Sequence, residues 1–249
     1  MSPHSNPWLF AVAFLFGGVK AFSSATQSNE WPRHRGDPAL NGIARSELGS
    51  DLSLQWVFDT GEFLKSSVVV AHGLAYVGAE SGQIHAIDLK SGKEKWSYKT
   101  DMAIEAPPLV EAGMVFVGST DGFLYALEAT TGKLLWRYET DGEIMGAPNQ
   151  AIRPQSKDSV LVVGSYDNFV HCMDLKTGKA LWKFETQNYV NGVPTIYEGK
   201  YVVFGGCDAM LYVVGLEDGK IVRSVEVEAP IAASVAVADG VGYVGNMDR

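Results

Sequence analysis

Five glycines that follow an apolar residue, Gly78, Gly118, Gly164, Gly205 and Gly245, recur at steps of 40, 46, 41 and 40 residues. Each opens the same longer phrase. The first copy continues through Ile84-His85-Ala86-Ile87-Asp88, Ser91-Gly92-Lys93 and Trp96. The second has Leu124-Tyr125-Ala126-Leu127-Glu128, Thr131-Gly132-Lys133 and Trp136, and the third has Val170-His171-Cys172-Met173-Asp174, Thr177-Gly178-Lys179 and Trp182. The fourth keeps Asp218-Gly219-Lys220 but carries Arg223 where Trp is due. A fifth begins at Tyr243-Val244-Gly245. A period near 40 with strand-like content is the pattern of β-propeller blades.

Each unit holds four short stretches rich in Val, Ile, Tyr and Trp. In the first unit they are 67–71, 74–79, 83–89 and 94–100, broken at His72-Gly73, Ser81-Gly82 and Ser91-Gly92. Such runs, bounded by Gly and Ser, predict antiparallel strands joined by tight turns. One four-stranded sheet leaves both faces wet. Stacking sheets around an axis buries them and leaves only short edges. The fold class expected is all-β, a propeller of four-stranded antiparallel blades. Trp96, Trp136 and Trp182, with the turn glycines Gly92, Gly132 and Gly178, are the expected docking residues, each indole lying on the outermost strand where it covers a neighbouring blade.

Phase adds a further expectation. Trp56-Val57-Phe58-Asp59-Thr60 matches Trp96-Ser97-Tyr98-Lys99-Thr100 one period earlier. It reads as an outer strand without three inner ones, the kind of strand that completes a last blade and removes an open edge. About four and a half blades are then present, and the chain reads as part of a longer protein. The alternative is a short chain whose open edge a second copy covers.

A formal charge of −9 with 11% aromatic residues argues against nucleic-acid binding, which calls for a basic stripe. The apolar run from Trp8 to Phe16, followed by Ala21, Ser23, Ser24 and Ala25, has the length of a secretory leader and is too short to span a bilayer. The expected organisation is a signal peptide at 1–25, a lead-in at 26–54 and propeller repeats over 55–249. No transmembrane span remains after cleavage. Cys172 and Cys207 fall at different points of the repeat and read as two separate small residues.

No catalytic motif and no metal spacing stands out. Asp88, Glu128 and Asp174 recur beside a turn, and their expected work is to bind backbone amides. His85, Tyr125, His171 and Tyr212 share one phase and read as packing between blades with a polar tip. The positions that vary are those five residues beyond Thr60, Thr100, Thr140 and Thr186: Lys65, Glu105, Met145 and Asn191. They belong to loops at one mouth of the axial channel, where propellers carry function. Lys65, Glu105 and Asn191 are the candidate binding residues, with Glu105 and Asn191 offering oxygen to a hard cation. The polar insertion 149–159 is expected to be an exposed excursion.

The phrases 86–96, 126–136 and 172–182 resemble the tryptophan-docking repeat of the pyrroloquinoline-quinone (PQQ) propeller superfamily. Trp31-Pro32-Arg33-His34-Arg35-Gly36-Asp37-Pro38 and Asn41-Gly42 resemble the lead-in of its secreted bacterial members. The resemblance implies a ring that commonly has eight blades. It also implies one of two classes: dehydrogenases that hold PQQ and calcium at the channel mouth, or non-catalytic propellers such as the lipoprotein of the outer-membrane assembly machinery. The adjacent Cys-Cys pair of the dehydrogenases is missing here, as is the lipidated Cys of the assembly lipoprotein. The expectation is a periplasmic or secreted, non-catalytic binding module with protein partners in the cell envelope. The alternative is a PQQ- and calcium-dependent dehydrogenase whose decisive residues lie beyond Arg249.

Overall fold

The computed structural model describes residues 30–44 and 52–248. The expected leader at 1–25 lies outside them. Among the described residues there is no helix, and none long and apolar enough to cross a membrane.

Four antiparallel four-stranded sheets follow one another along the chain. The first is β1 (Val69–Ala71), β2 (Leu74–Gly78), β3 (Gln83–Asp88) and β4 (Glu94–Lys99); the second is β5 (Leu109–Glu111), β6 (Met114–Gly118), β7 (Phe123–Glu128) and β8 (Leu134–Glu139). The third is β9 (Asn149–Ile152), β10 (Ser159–Gly164), β11 (Phe169–Asp174) and β12 (Ala180–Glu185); the fourth is β13 (Thr195–Tyr197), β14 (Tyr201–Gly205), β15 (Met210–Gly215) and β16 (Ile221–Glu226). A two-stranded start of a fifth, β17 (Ala236–Ala238) and β18 (Val241–Tyr243), follows. Within each sheet the strands pair in chain order, as the repeat predicts. First strands adjoin the first strands of neighbouring blades, β1 against β5 and β13 against β9 and β17, so they surround the axis. The middle strands are buried on both faces, and the fourth strands form the rim.

A bulge recurs between the third and fourth strands, at Ala86/Ile87, Ala126/Leu127, Cys172/Met173 and Val213/Val214. Just before it, the small residues Ala86, Ala126 and Cys172 pair with Trp96, Trp136 and Trp182. Cys172 is buried, and burial pushes its thiol up to about 12. Both cysteines are free.

Each indole rests on the next blade. Trp96 donates Nε1–H to Ala129 O at 2.9 Å and lies over Gly132. A Cβ on Gly132 would fall 2.5 Å from Trp96 Cε3, and its φ of 72° is a left-handed conformation that a side chain strains. Trp136 lies over Gly178 and Trp182 over Gly219 in the same way, and Trp56 over Gly92. Trp56 thus occupies the seat of a fourth-strand indole, with Nε1 donating to Leu89 O at 2.8 Å. Residues 55–60 themselves join no ladder among the described residues, because no third strand adjoins them.

The lead-in does what the repeats do not announce. Trp31 bridges Val70 of the first blade, and Pro32 O accepts from Val110 N of the second at 2.7 Å. Pro38 O accepts from Ile196 N of the fourth blade at 2.8 Å, and Ala39 O from Val237 N of the fifth at 3.1 Å. Arg33, 8% exposed, reaches Glu111 at 2.8 Å and Asn149 Oδ1 at 3.2 Å. Burial pulls its guanidinium pKa down, against the opposing charges of Glu111 and Asp37. The innermost strands carry axis-facing amides that no fifth strand satisfies. Residues 31–39 satisfy them, which a buried backbone requires, and so fill the axis.

Candidate functional site at the channel mouth

Two sets of loops define two faces. On the mouth face, the turn after each second strand bonds to the loop entering each first strand. Thr120 N donates to Ala103 O at 2.9 Å, Tyr166 N to Glu143 O at 2.9 Å and Cys207 N to Tyr189 O at 2.8 Å. On the opposite face, the turn after the third strand bonds to the turn after the first, as Ala129 N does to Gly113 O at 2.9 Å. Asp88 and Asp174 lie there and accept from Ser91 N at 2.9 Å and Thr177 N at 2.8 Å, the turn-binding work expected of them.

The candidate residues fall on two sides of the mouth. Lys65 Nζ lies 2.8 Å from both Glu105 Oε1 and Glu80 Oε1. Those hydrogen bonds, Glu105 first, raise its pKa. Asn191 sits instead beside Cys207, with Nδ2 3.6 Å from Sγ. Tyr166 faces the same group. Its phenol is raised by burial first and then by Cys207, and it also feels Glu143 and Glu105. Tyr166 and Tyr189 stack at 4.5 Å with planes 4° apart. Met145 is half-buried and makes no polar contact. Sequence spacing found Lys65, Glu105 and Asn191 but missed Glu80, Tyr166, Tyr189 and Cys207. These also break the repeat, and aligning every turn position, rather than one, reveals them.

Behind the mouth lies a row of latches between blades. Tyr125 Oη donates to Asp121 Oδ2 and Tyr212 Oη to Asp208 Oδ2, each at 2.7 Å. Asp121 and Asp208 in turn accept from the amides of Asp101 and Gln187 on the preceding loop. In the third blade His171 Nε2 lies 2.9 Å from Asp167 Oδ2, and its Nδ1 lies 3.1 Å from Tyr138 Oη. Burial alone would raise the Asp167 carboxyl, but His171 and the amides of Phe169 and Asp141 outweigh it and hold it below the ordinary range. In the first blade Ser81 replaces the aspartate. Glu62 comes in from the loop to accept from Ser81 N at 2.6 Å and Oγ at 2.8 Å. His85 turns Nδ1 to Glu94 at 2.6 Å, and its Nε2 has no partner. All four third-strand residues take the ring of the preceding blade, as Phe58 meets His85 and Tyr98 meets Tyr125.

The insertion is no free excursion. Arg153 Nη2 lies 3.0 Å from Glu217 Oε1, and Gln155 N donates to Glu217 Oε2 at 3.0 Å. The charged Arg153 finds an acid on the next blade, and the pairing ties the loop down.

With the fold and mouth in view, the family is identifiable. The family described as outer membrane protein assembly factor BamB matches residues 17–165 and 145–246. The chain belongs to it. Its solved relatives include BamB from Moraxella catarrhalis, with a TM-score of 0.63 and 19% identity over 74% of this chain and 58% of that one. Quinohemoprotein alcohol dehydrogenase from Comamonas testosteroni aligns with a TM-score of 0.67 and 20% identity, over 86% of this chain and 44% of that one. Both comparisons carry the propeller fold. Lupanine 17-hydroxylase [cytochrome c] of a Pseudomonas species is 32% identical over 112 residues, 39% of this chain and 16% of that protein. The chain spans less than two thirds of each.

PQQ, which the wider superfamily holds, is a tricarboxylate quinone. The described mouth does not fit it. Lys65 is already held by two carboxylates, and Glu105, the oxygen ligand expected for a hard cation, is the partner of that lysine. Each like charge about 10 Å away costs an incoming carboxylate about 0.4 kcal/mol in water before screening, and this face carries many.

Proposed function

We propose that this protein is a non-catalytic binding module of the cell envelope, periplasmic or secreted, whose mouth-face loops hold a protein partner. One observation carries the reading. Packing positions agree from blade to blade, whereas the mouth positions differ in every blade and leave Phe63 81%, Met102 53% and Tyr189 45% exposed. Large apolar side chains exposed at loop tips, at positions that vary from blade to blade, are what an interface uses. The family's description as an outer-membrane assembly factor supports an envelope address.

A second reading, a PQQ- and calcium-dependent dehydrogenase, is favoured by the likeness to lupanine 17-hydroxylase. The two separate cleanly. A photo-cross-linking amino acid placed at Phe63, Met102 or Tyr189 of the full-length protein in its own cells should give discrete protein adducts. The same residue placed at Lys133 or Lys179, on the opposite face, should give none. Adducts from neither face, together with dye-linked oxidation that depends on added PQQ and calcium, would replace the first reading by the second.

A further inference from the structure

The two faces differ in charge. The mouth-face segments 59–68, 79–82, 99–108, 119–122, 139–148, 165–168, 185–194, 206–209 and 226–235 hold fourteen carboxylates and two lysines, Lys65 and Lys99. The opposite-face turns 71–74, 88–95, 111–114, 128–135, 152–159, 174–181, 197–201, 215–222 and 238–241 hold ten carboxylates and ten lysines or arginines. The protein's negative charge is therefore a property of one face. Both lysines of that face are occupied: Lys65 by Glu80 and Glu105, and Lys99 by the carbonyl of Ser81. Such one-signed fields draw in oppositely charged partners and repel like ones.

A second observation points to a donor ligand. His85 is 6% exposed, and its Nε2 has no partner. Its counterparts Tyr125, His171 and Tyr212 all aim their tips at the carboxylates of the mouth-face turns. Where that carboxylate should stand, the first blade has Ser81. His85 Nδ1 is engaged by Glu94 at 2.6 Å, so Nε2 is the ring nitrogen left without a partner. Asn168 Oδ1 and Asn191 Oδ1, on the same face, are acceptors without a partner. On this face the two unmet amide oxygens accept, and the charges are negative. The lead-in runs along the axis, and its Leu40 packs with Ala147 and Val193 at the inner edge of the mouth-face loops.

We infer that the mouth face docks a cationic, lysine- or arginine-bearing segment of its partner protein and turns away the anionic quinone. This rests on the binding-module reading and names the chemistry of its partner. The partner's apolar side chains would meet Phe63, Met102 and Tyr189, and its basic ones the surrounding carboxylates.

The test is to sequence the partner peptide joined to a photo-cross-linker at Tyr189 of the full-length protein. The peptide should carry an excess of Lys and Arg. Adduct yield should fall at least about fivefold between 0.05 and 0.5 M salt, since exposed charges are screened beyond a few ångströms there. It should fall similarly in Glu143→Lys and stay unchanged in Glu198→Lys, on the opposite face. A neutral or acidic peptide, or a yield indifferent to salt and to Glu143→Lys, overturns the cationic partner but leaves the binding module standing. No adduct from any mouth position sinks the module itself. Fluorescence titration with PQQ, alone and with calcium, should show no saturable binding; saturation in either arm overturns the exclusion.

Discussion

The two ends of each blade interface obey different rules. At the indole end the geometry is copied: Trp56, Trp96, Trp136 and Trp182 lie over Gly92, Gly132, Gly178 and Gly219. At the mouth end the chemistry varies among the interfaces. Tyr125 with Asp121 and, alike, Tyr212 with Asp208; His171 with Asp167 and Tyr138; and His85 with no aspartate are three answers to one position. Close approach of an aromatic ring to a backbone tolerates no side chain, so sterics holds the first end constant. A buried polar tip needs only some partner of the right sign, so the second end is free to vary. Function has room to settle where the constraint is looser.

Five substitutions sharpen or break that contrast. Trp96→Ala should have the largest effect, a loss of about 3–5 kcal/mol of unfolding free energy. Trp136→Ala should cost about 1 kcal/mol less, because Trp136 Nε1 makes no hydrogen bond whereas Trp96 Nε1 does. Urea denaturation decides both, and equal losses would mean that ring burial alone matters. Asp167→Asn comes next, at about 2–3 kcal/mol near neutral pH, since it takes the carboxylate from a buried imidazole and from the amides of Phe169 and Asp141. The sign with pH follows from the lowered carboxyl of Asp167. Its stabilising contribution is present above the unfolded value of about 4 and is lost as pH falls through the lower folded value. The difference between wild type and Asp167→Asn should therefore shrink on acidification from pH 7 to pH 3, and a constant difference would refute the latch.

Tyr125→Phe should lose about 1–2 kcal/mol with the single bond to Asp121, read from the shift in thermal midpoint. Ser81→Asp is the smallest and has the opposite sign. It supplies His85 with the partner its counterparts have, for a gain of about 0.5–1 kcal/mol. A loss of stability there would show that Glu62, already bound to Ser81, repels the new carboxylate more than His85 attracts it.

The blades were legible in the chain before any coordinates because their constraints are local and repeated. A turn glycine, an alternating apolar strand and a tryptophan at fixed spacing recur, and each copy vouches for the others. Strand limits for the first unit moved by no more than two residues, as with 67–71 against Val69–Ala71. Non-repeated contacts were not legible. Arg33 finds Glu111 and Asn149 across 78 and 116 residues, and no spacing announces such a pairing. The insertion read as an excursion because its anchor, Glu217, lies 64 residues from Arg153.

The candidate site divides along the same line. Counting from the repeated threonines picked out Lys65, Glu105 and Asn191 as variable positions. That Lys65 is neutralised between Glu80 and Glu105, and that Asn191 faces Cys207 and Tyr166 instead, depended on which loops the ring brings together. The sequence by itself determined the blade, its period and its aromatic seams, because these need only neighbours in the chain. Only the tertiary structure decided that the lead-in fills the axis and that the negative charge gathers on one face. Both arise when blades far apart in sequence are set around a common centre, where their loops must share one space.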